Sequence, residues 1–266
     1  MFNYLFNGSY NSDIEENANF VKGKVCSYLI NMDKATERLR IVMPNIKKLG
    51  FPVERIAAVD GKTLGENLDF VDRETYKNYF KMYPEIGTIG CSLSHEKALR
   101  AFLKSDNEFA LIFEDDIEFD ADKLRTAVKN AISKAELWDV IGFELIHGGT
   151  PIKVTEDFVC YLTNVKDAGC YLVNRYAAKQ YLQKFYPIKM PWDHYYTAPW
   201  EFDVKFLGVE PRIVKQRGLP SQIKTSTKPE KFKNLSVLIK NACFNIKREI
   251  VNFVYNALIT QKIRKN

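Results

Sequence analysis

Hydrophobic positions in this chain recur at two spacings. Residues 25–30 (Val-Cys-Ser-Tyr-Leu-Ile) form a short apolar run ending in polar Asn31-Met32-Asp33-Lys34, the pattern of a buried strand. Leu39, Val42, Ile46 and Leu49 follow at helical spacing with Gly50 as a stop, and Pro44 inside predicts a kink or a break. Residues 53–59 alternate and end at Asp60-Gly61, a second strand with its turn. This strand–helix–strand opening predicts the start of an open parallel sheet. The pattern then predicts helices over 88–103 and 122–137 and strands over 109–113 and 138–145. A strand over 169–173 leads into a helix over 174–185 with Asn174 as N-cap, and one or two late strands surround Pro211. From about 233 to 265 a long helix is expected. Its apolar face is Leu235, Leu238, Ile239, Ala242, Ile246, Ile250, Phe253, Val254 and Leu258.

Composition narrows the class. Hydrophobic residues make up 46% and charged residues 27%, which excludes disordered and collagen-like chains. Five scattered cysteines without a CxxC pair argue against a disulfide framework or zinc ribbon and for a reducing compartment. Residues 1–23 read as an irregular leader with neither a basic nor an apolar signal region, and no run suits a transmembrane helix. The expected localisation is cytoplasmic. Of the net charge of +6, residues 224–266 hold ten Lys/Arg against two acids, leaving the body at about −2. A near-neutral body with a basic tail suits an anionic surface rather than a nucleic-acid groove, so no nucleic-acid partner is expected. The tail reads either as a helix docked on the domain or as an amphipathic membrane-surface element.

The chemistry concentrates where the strand at 109–113 runs into Glu114-Asp115-Asp116. Three adjacent carboxylates repel one another and are costly without a cation. Ligands of open α/β sheets bind outside the carboxyl ends of strands, and Mg²⁺ or Mn²⁺ prefers oxygen ligands shared with substrate phosphates. A solvated turn or a helix-start charge is the plainer reading of the same residues. Gly87-Thr88-Ile89-Gly90 precedes Ser94 and His95, so helix-start amides there could hold phosphate or polar sugar groups, with a core histidine as the alternative. The spacing misses both GxGxxG and GxxxxGK[ST].

Read in order, these pieces resemble glycosyltransferase family 25, the bacterial lipooligosaccharide galactosyltransferase family related to the collagen galactosyltransferases. The matching pieces begin with residues 28–33 (Tyr-Leu-Ile-Asn-Met-Asp), Glu37-Arg38, and 57–61 (Ala-Ala-Val-Asp-Gly). Gly87-x-x-Gly90-Cys91-x-x-Ser94-His95 and Phe113-Glu114-Asp115-Asp116 follow. Residues 168–173, Pro191-Trp192-Asp193 and 211–216 complete the series, which covers roughly 24–222. The resemblance implies a GT-A type (Rossmann-like) α/β fold over 24–223, a mixed sheet flanked by helices, with the basic helical tail of 224–266 outside it. It also implies a nucleotide-sugar donor, usually UDP-galactose, a divalent metal, and inversion at the anomeric carbon. Carried over, Glu114 meets the donor ribose and Asp116 holds Mn²⁺ or Mg²⁺, with Asp115 assisting. Asn31, Asp33, Arg38 and Asp60 belong to the nucleotide end, and Gly90, Ser94 and His95 to the donor pocket. Glu114 stands where many GT-A enzymes carry Asp.

Inverting transfer needs a base for the acceptor hydroxyl. Asp193, beside Trp192 as a stacking surface for an acceptor sugar, and Glu144, at the end of an apolar strand, both qualify. The expected reaction moves a hexose, galactose in the first instance and glucose as the alternative, onto a lipooligosaccharide or lipopolysaccharide core acceptor. It would take place at the inner face of the inner membrane, which the basic tail contacts. Two readings from other classes stand beside it: a metal-dependent phosphoesterase or nucleotidyltransferase using the same acidic corner, and a non-catalytic membrane-associated module resting on the tail.

Overall fold

The computed structural model describes residues 23–65, 68–145, 149–218 and 231–265. Residues 1–22 of the leader expected over 1–23, and residues 224–230 of the basic tail, lie outside them. Strand β1 (Val25–Asn31) is followed by helix α1 (Thr36–Lys47), β2 (Val53–Ala57), α2 (Arg73–Phe80), α3 (Ile86–Lys104) and β3 (Phe109–Phe113). Then come β4 (Ile117–Phe119), α4 (Ala121–Ser133), β5 (Val140–Gly142), β6 (Pro151–Lys153), β7 (Val159–Tyr161), β8 (Cys170–Asn174) and α5 (Arg175–Gln183). Short helices α6 (Trp192–Tyr196) and α7 (Pro199–Phe202), strands β9 (Phe206–Gly208) and β10 (Val214–Gln216), and the long helix α8 (Leu235–Lys265) complete the chain.

Eight strands form one sheet in the order β2-β1-β3-β8-β5-β9-β7-β6, and β4 pairs with β10 in a separate ribbon. The parallel opening holds for β2, β1 and β3, and then β8 runs antiparallel to both β3 and β5. The sheet is therefore mixed rather than parallel throughout. Strands β1, β3 and β8 are buried on both faces, which explains their near-continuous apolar runs. Tyr28 and Ile112 face one core with α3 and α5, while Leu29, Leu111 and Phe113 face the other with α1 and α4. The expected α/β class, a mixed sheet flanked by helices with a C-terminal helix, is what the chain adopts.

Several local expectations shift. Helix α1 continues through Pro44 for three more residues, and Gly50 beyond it takes φ +77°, the left-handed value glycine tolerates at a helix end. Asn174 does cap α5, its Oδ1 accepting from the Ala177 amide at 2.9 Å. The expected strand over 138–145 shortens to β5. Helix α2, between turn-rich segments, and the single-turn α6 and α7 escape the periodicity because they are too short to repeat it.

Helix α8 docks on the domain, and it does so by the face opposite its apolar stripe. Leu235, Ile239, Ile246, Ile250 and Phe253 are exposed, and Arg248, Asn252, Asn256 and Thr260 are buried. The inward side chains form a polar ladder at i, i+4 spacing. Asn252 and Asn256 donate to the Tyr161 and Leu162 carbonyls beyond β7. Arg248 donates to Asn164 Oδ1 (3.0 Å), the His194 carbonyl (2.9 Å) and Thr197 Oγ1 (3.3 Å), and pairs with His194 Nδ1 (3.0 Å). Its guanidinium also stands over the Trp200 ring. Hydropathy spacing finds an amphipathic helix without saying which face the fold will take, and here loose carbonyls on β7 and α6 recruit the amides and guanidinium. An Arg248→Ala substitution leaves several buried acceptors unpaired and is expected to lower unfolding stability by about 2–3 kcal/mol. Urea denaturation with far-UV detection measures it, and limited proteolysis should cut within α8 first.

Candidate functional site

Strands β1 and β3 are parallel neighbours, with Leu29 opposite Phe113. Two residues further on, the same register brings Asn31 beside Asp115. Asn31 Nδ2 donates to Asp115 Oδ2 at 2.7 Å, and Arg38 of α1 donates to Asp115 Oδ1 at 2.8 Å. Asn31 Oδ1 in turn accepts from Arg55 Nε of β2 at 2.9 Å. Both oxygens of Asp115 are thus taken up by the protein, in a brace across three strand ends.

Glu114 is held differently. Its amide donates to the Gly169 carbonyl at 2.9 Å, and its Oε1 lies 3.1 Å from His95 Nε2. His95 is fully buried in α3, with Nδ1 3.0 Å from the Tyr171 hydroxyl and its ring stacked on Trp192 at 5.1 Å. If Tyr171 donates to Nδ1, Nε2 carries the proton and donates to the carboxylate, so neutral imidazole satisfies both contacts. Cys91 Sγ lies 3.9 Å from the same Oε1. Cys91, His95 and Glu114 are close enough to suggest a metal triad. Burial, and then the neighbouring acids, push the Cys91 thiol well up, so without a cation it is a neutral thiol.

Asp116 is the carboxylate left over. Oδ2 is 3.4 Å from Arg38, while Oδ1 is buried with no hydrogen-bond partner. Burial first, and then repulsion from Glu114, raise its pKa to about 6 against the opposing pull of Arg38. Its backbone is fixed from the far side, where the Arg217 amide donates to the Asp116 carbonyl at 2.7 Å. A buried carboxylate oxygen without a partner, beside a second acid, is the donor set a hard divalent cation accepts. The residues therefore fit Mn²⁺ or Mg²⁺ at Asp116, while Asp115 also braces the strand ends through Asn31 and Arg38.

These groups line a half-open cleft of about 110 Å³. Asn31, Arg38, Asp60, Ser94, His95, Glu114, Asp115 and Asp116 all line it. Asp60 also caps the 3-10 turn Gly61–Thr63 and pairs with Lys34 at 2.7 Å, which holds its pKa down. Ser94 ties α3 to the loop after β2, donating to Gly90 O and accepting from the Val59 amide. Asp33 stands apart from the cleft lining, exposed and paired with Arg55 at 2.6 Å. Gly90 is not in the lining either. A Cβ there would sit 2.6 Å from the Val59 carbonyl, so this glycine is the floor that lets α3 approach the loop.

Neither candidate base lines the cleft, and the two differ in exposure. Asp193, in α6, is partly exposed, and burial raises its pKa against the His194 amide, Lys166 and Arg248; Glu114 acts on it electrostatically. Trp192 beside it is buried against His95, so it supports the site from behind and offers no face to a sugar. Glu144 is buried outside the cleft lining, accepting from the Gly169 amide at 3.0 Å. Met32, Val59, Gly61, Gly87 and Cys91, all within the motifs quoted from the sequence, join the lining. Their meeting follows from the packing of the turn after β2 against the start of α3.

Glu144 generates a pH prediction. Burial, and next the Asp167 charge, raise its pKa from 4.5 to about 8. Between those values the folded chain keeps a proton that the unfolded chain releases, so this group's contribution falls as pH rises from about 4.5 to 8 and stays lost above. Glu144→Gln should flatten the decline and melt several degrees higher than the parent at about pH 9, given roughly 2–4 °C per kcal/mol for a domain of this size. Thermal melts across pH test this, and an unchanged slope would contradict it.

The comparisons with known proteins bear on the same segments. Residues 25–196 match the model of the family described as Glycosyltransferase family 25 (LPS biosynthesis protein). A "Glycosyltransferase 25 family member" of Anopheles gambiae is 31% identical over 123 residues, 44% of this chain and 21% of that protein. One of Aedes aegypti is 32% identical over 124 residues, 44% of this chain and 20% of that protein. The chain thus spans about a fifth of the length of the curated relatives it matches. A solved structure described as a glycosyltransferase involved in glycosylation of the major capsid of PBCV-1 aligns with 84% of this chain and 99% of its own. The TM-score is 0.42 and the identity 9%. The family match covers both strand ends, the acidic triplet, the start of α3 and α6, and the chain belongs to glycosyltransferase family 25.

Proposed function

We propose that this chain is an inverting, divalent-cation-dependent hexosyltransferase that takes a hexose, galactose in the first instance, from a UDP-sugar. The acceptor is a hydroxyl of a lipooligosaccharide or lipopolysaccharide core. The observation that carries this reading is Asp116 Oδ1, buried and unpartnered in a cleft whose neighbouring carboxylates are already hydrogen-bonded.

Each residue contributes a definable step. Glu114, fixed by His95 and the Gly169 carbonyl, keeps its second oxygen for the donor ribose. Gly87, in the first turn of α3, lies in the cleft wall at a helix end without a side-chain cap, and amides there suit the donor diphosphate. Asp116, with Asp115 assisting, would hold Mn²⁺ or Mg²⁺, which when bound neutralises the charge developing on the departing diphosphate. Asp193 removes the acceptor hydroxyl proton as that oxygen attacks the anomeric carbon from the face opposite the leaving group. The new glycosidic C–O bond forms, the bond to the β-phosphate oxygen breaks, and UDP leaves with the electron pair. A raised carboxylate pKa suits Asp193 to this, bringing its basicity nearer the working pH.

The reading makes two linked predictions. Asp116→Ala should lose cation-dependent stabilisation by UDP in thermal shift and lower sugar transfer by at least about 100-fold, with the fold intact by circular dichroism. Asp193→Asn should keep that stabilisation while kcat falls by about 10²–10⁴. Full transfer by the Asp116 variant in excess chelator overturns the cation's role. Phosphodiester cleavage without any transfer would identify the phosphoesterase class instead, and parallel assays with UDP-galactose and UDP-glucose decide the donor.

A further inference from the structure

Helix α8 leaves a long apolar face uncovered. Leu235, Ile239, Ile246, Ile250, Phe253 and Leu258 are between 51 and 72% exposed, on a helix whose opposite side is anchored by the Arg248–Asn252–Asn256 ladder. The stripe runs about 35 Å at about 1.5 Å per residue. Scattered exposed leucines need no explanation, but a contiguous stripe of this length does. It is not spare core turned outward by a weak dock, because the inward face is held by Arg248, Asn252 and Asn256 and by buried Val237 and Ile263. No described helix is long and apolar enough to cross a membrane.

The charges around the stripe identify what covers it. Lys240 and Lys247 lie along its flank, Lys231 and Lys233 stand before its start, and Lys262, Arg264 and Lys265 at its end, all exposed. Glu249, the one acid in the helix, accepts from the Asn164 amide at 3.3 Å. A second copy packed on this face in either direction would bring cationic ends together. An apolar stripe with a cationic border matches a surface that is apolar beneath and anionic above.

We infer that the outward face of α8 is a docking surface for an anionic lipid bilayer, with the helix lying in the plane of the headgroups. The apolar residues enter the acyl boundary and the lysines contact the phosphates. The polar ladder keeps α8 attached to the body while it does so. This inference is independent of the catalytic reading, and its test measures no activity.

The full chain is mixed with vesicles of phosphatidylglycerol and phosphatidylethanolamine, or of phosphatidylcholine alone, and sedimented over a salt series. Binding should be at least about tenfold tighter to the anionic vesicles and should weaken as salt shortens the screening length below about 10 Å. A solvatochromic dye on Cys243, the exposed cysteine on this helix, should shift to the blue on those vesicles. I246E/F253E and K240E/K247E should each reduce binding by about tenfold or more while circular dichroism and melting stay near the parent's, because these side chains touch solvent. If a variant fails to fold, the parent's lipid preference and dye shift still decide. No binding to anionic vesicles overturns the inference. So does a concentration-dependent dimer in light scattering that I246E/F253E abolishes, which would make the face a protein interface.

Discussion

Three consecutive carboxylates at the end of one strand set the terms for the rest of this structure. Their mutual repulsion is relieved by sending each to a different partner. Asp115 goes to Asn31 and Arg38, Glu114 to His95, and Asp116 keeps an oxygen with no protein partner. Strand β1, helix α1 and helix α3 all converge on β3 to supply those partners. The direction reversal at β8 adds a fourth support, because it brings the Gly169 carbonyl to the Glu114 amide. The site is a charge problem solved by topology.

Behind the cleft lies an aromatic layer that no ligand need touch. Trp192, His95 and Tyr171 stack in sequence, and Tyr196 packs against both Trp192 and Tyr171. Such a layer fixes the imidazole plane, and through it the Glu114 carboxylate, while Trp192 fixes the neighbouring Asp193 backbone. Rigid support of this kind limits the loss of geometry that flexible acids would bring to a transfer reaction.

Much of this was legible before any coordinates. Strand-length apolar runs gave β1, β3 and β8, Asn174 gave a helix start, and the acidic triplet with Asn31, Arg38 and His95 marked the cleft. What escaped depended on long-range choice. Asp33 looked equivalent to Asn31, yet the strand register turns Asn31 toward Asp115 and leaves Asp33 to Arg55. Trp192 read as a sugar platform because neighbouring residues invite that pairing, and only the packing against His95 shows it is buried. For α8 the sequence left docking and a surface face both open, because periodicity records an amphipathic face and not the direction it faces.

Arg248 gives the C-terminal helix a second meaning. Its guanidinium donates to the His194 carbonyl, one residue beyond Asp193, so the C-terminal helix is tied to the segment that carries the candidate base. Load applied to the helix by whatever it rests on is therefore transmitted to the seat of that base rather than absorbed in a linker. Removing the helix to obtain a better-behaved fragment would not be a neutral trim. It would take away the guanidinium that the His194 carbonyl and the Thr197 hydroxyl accept from.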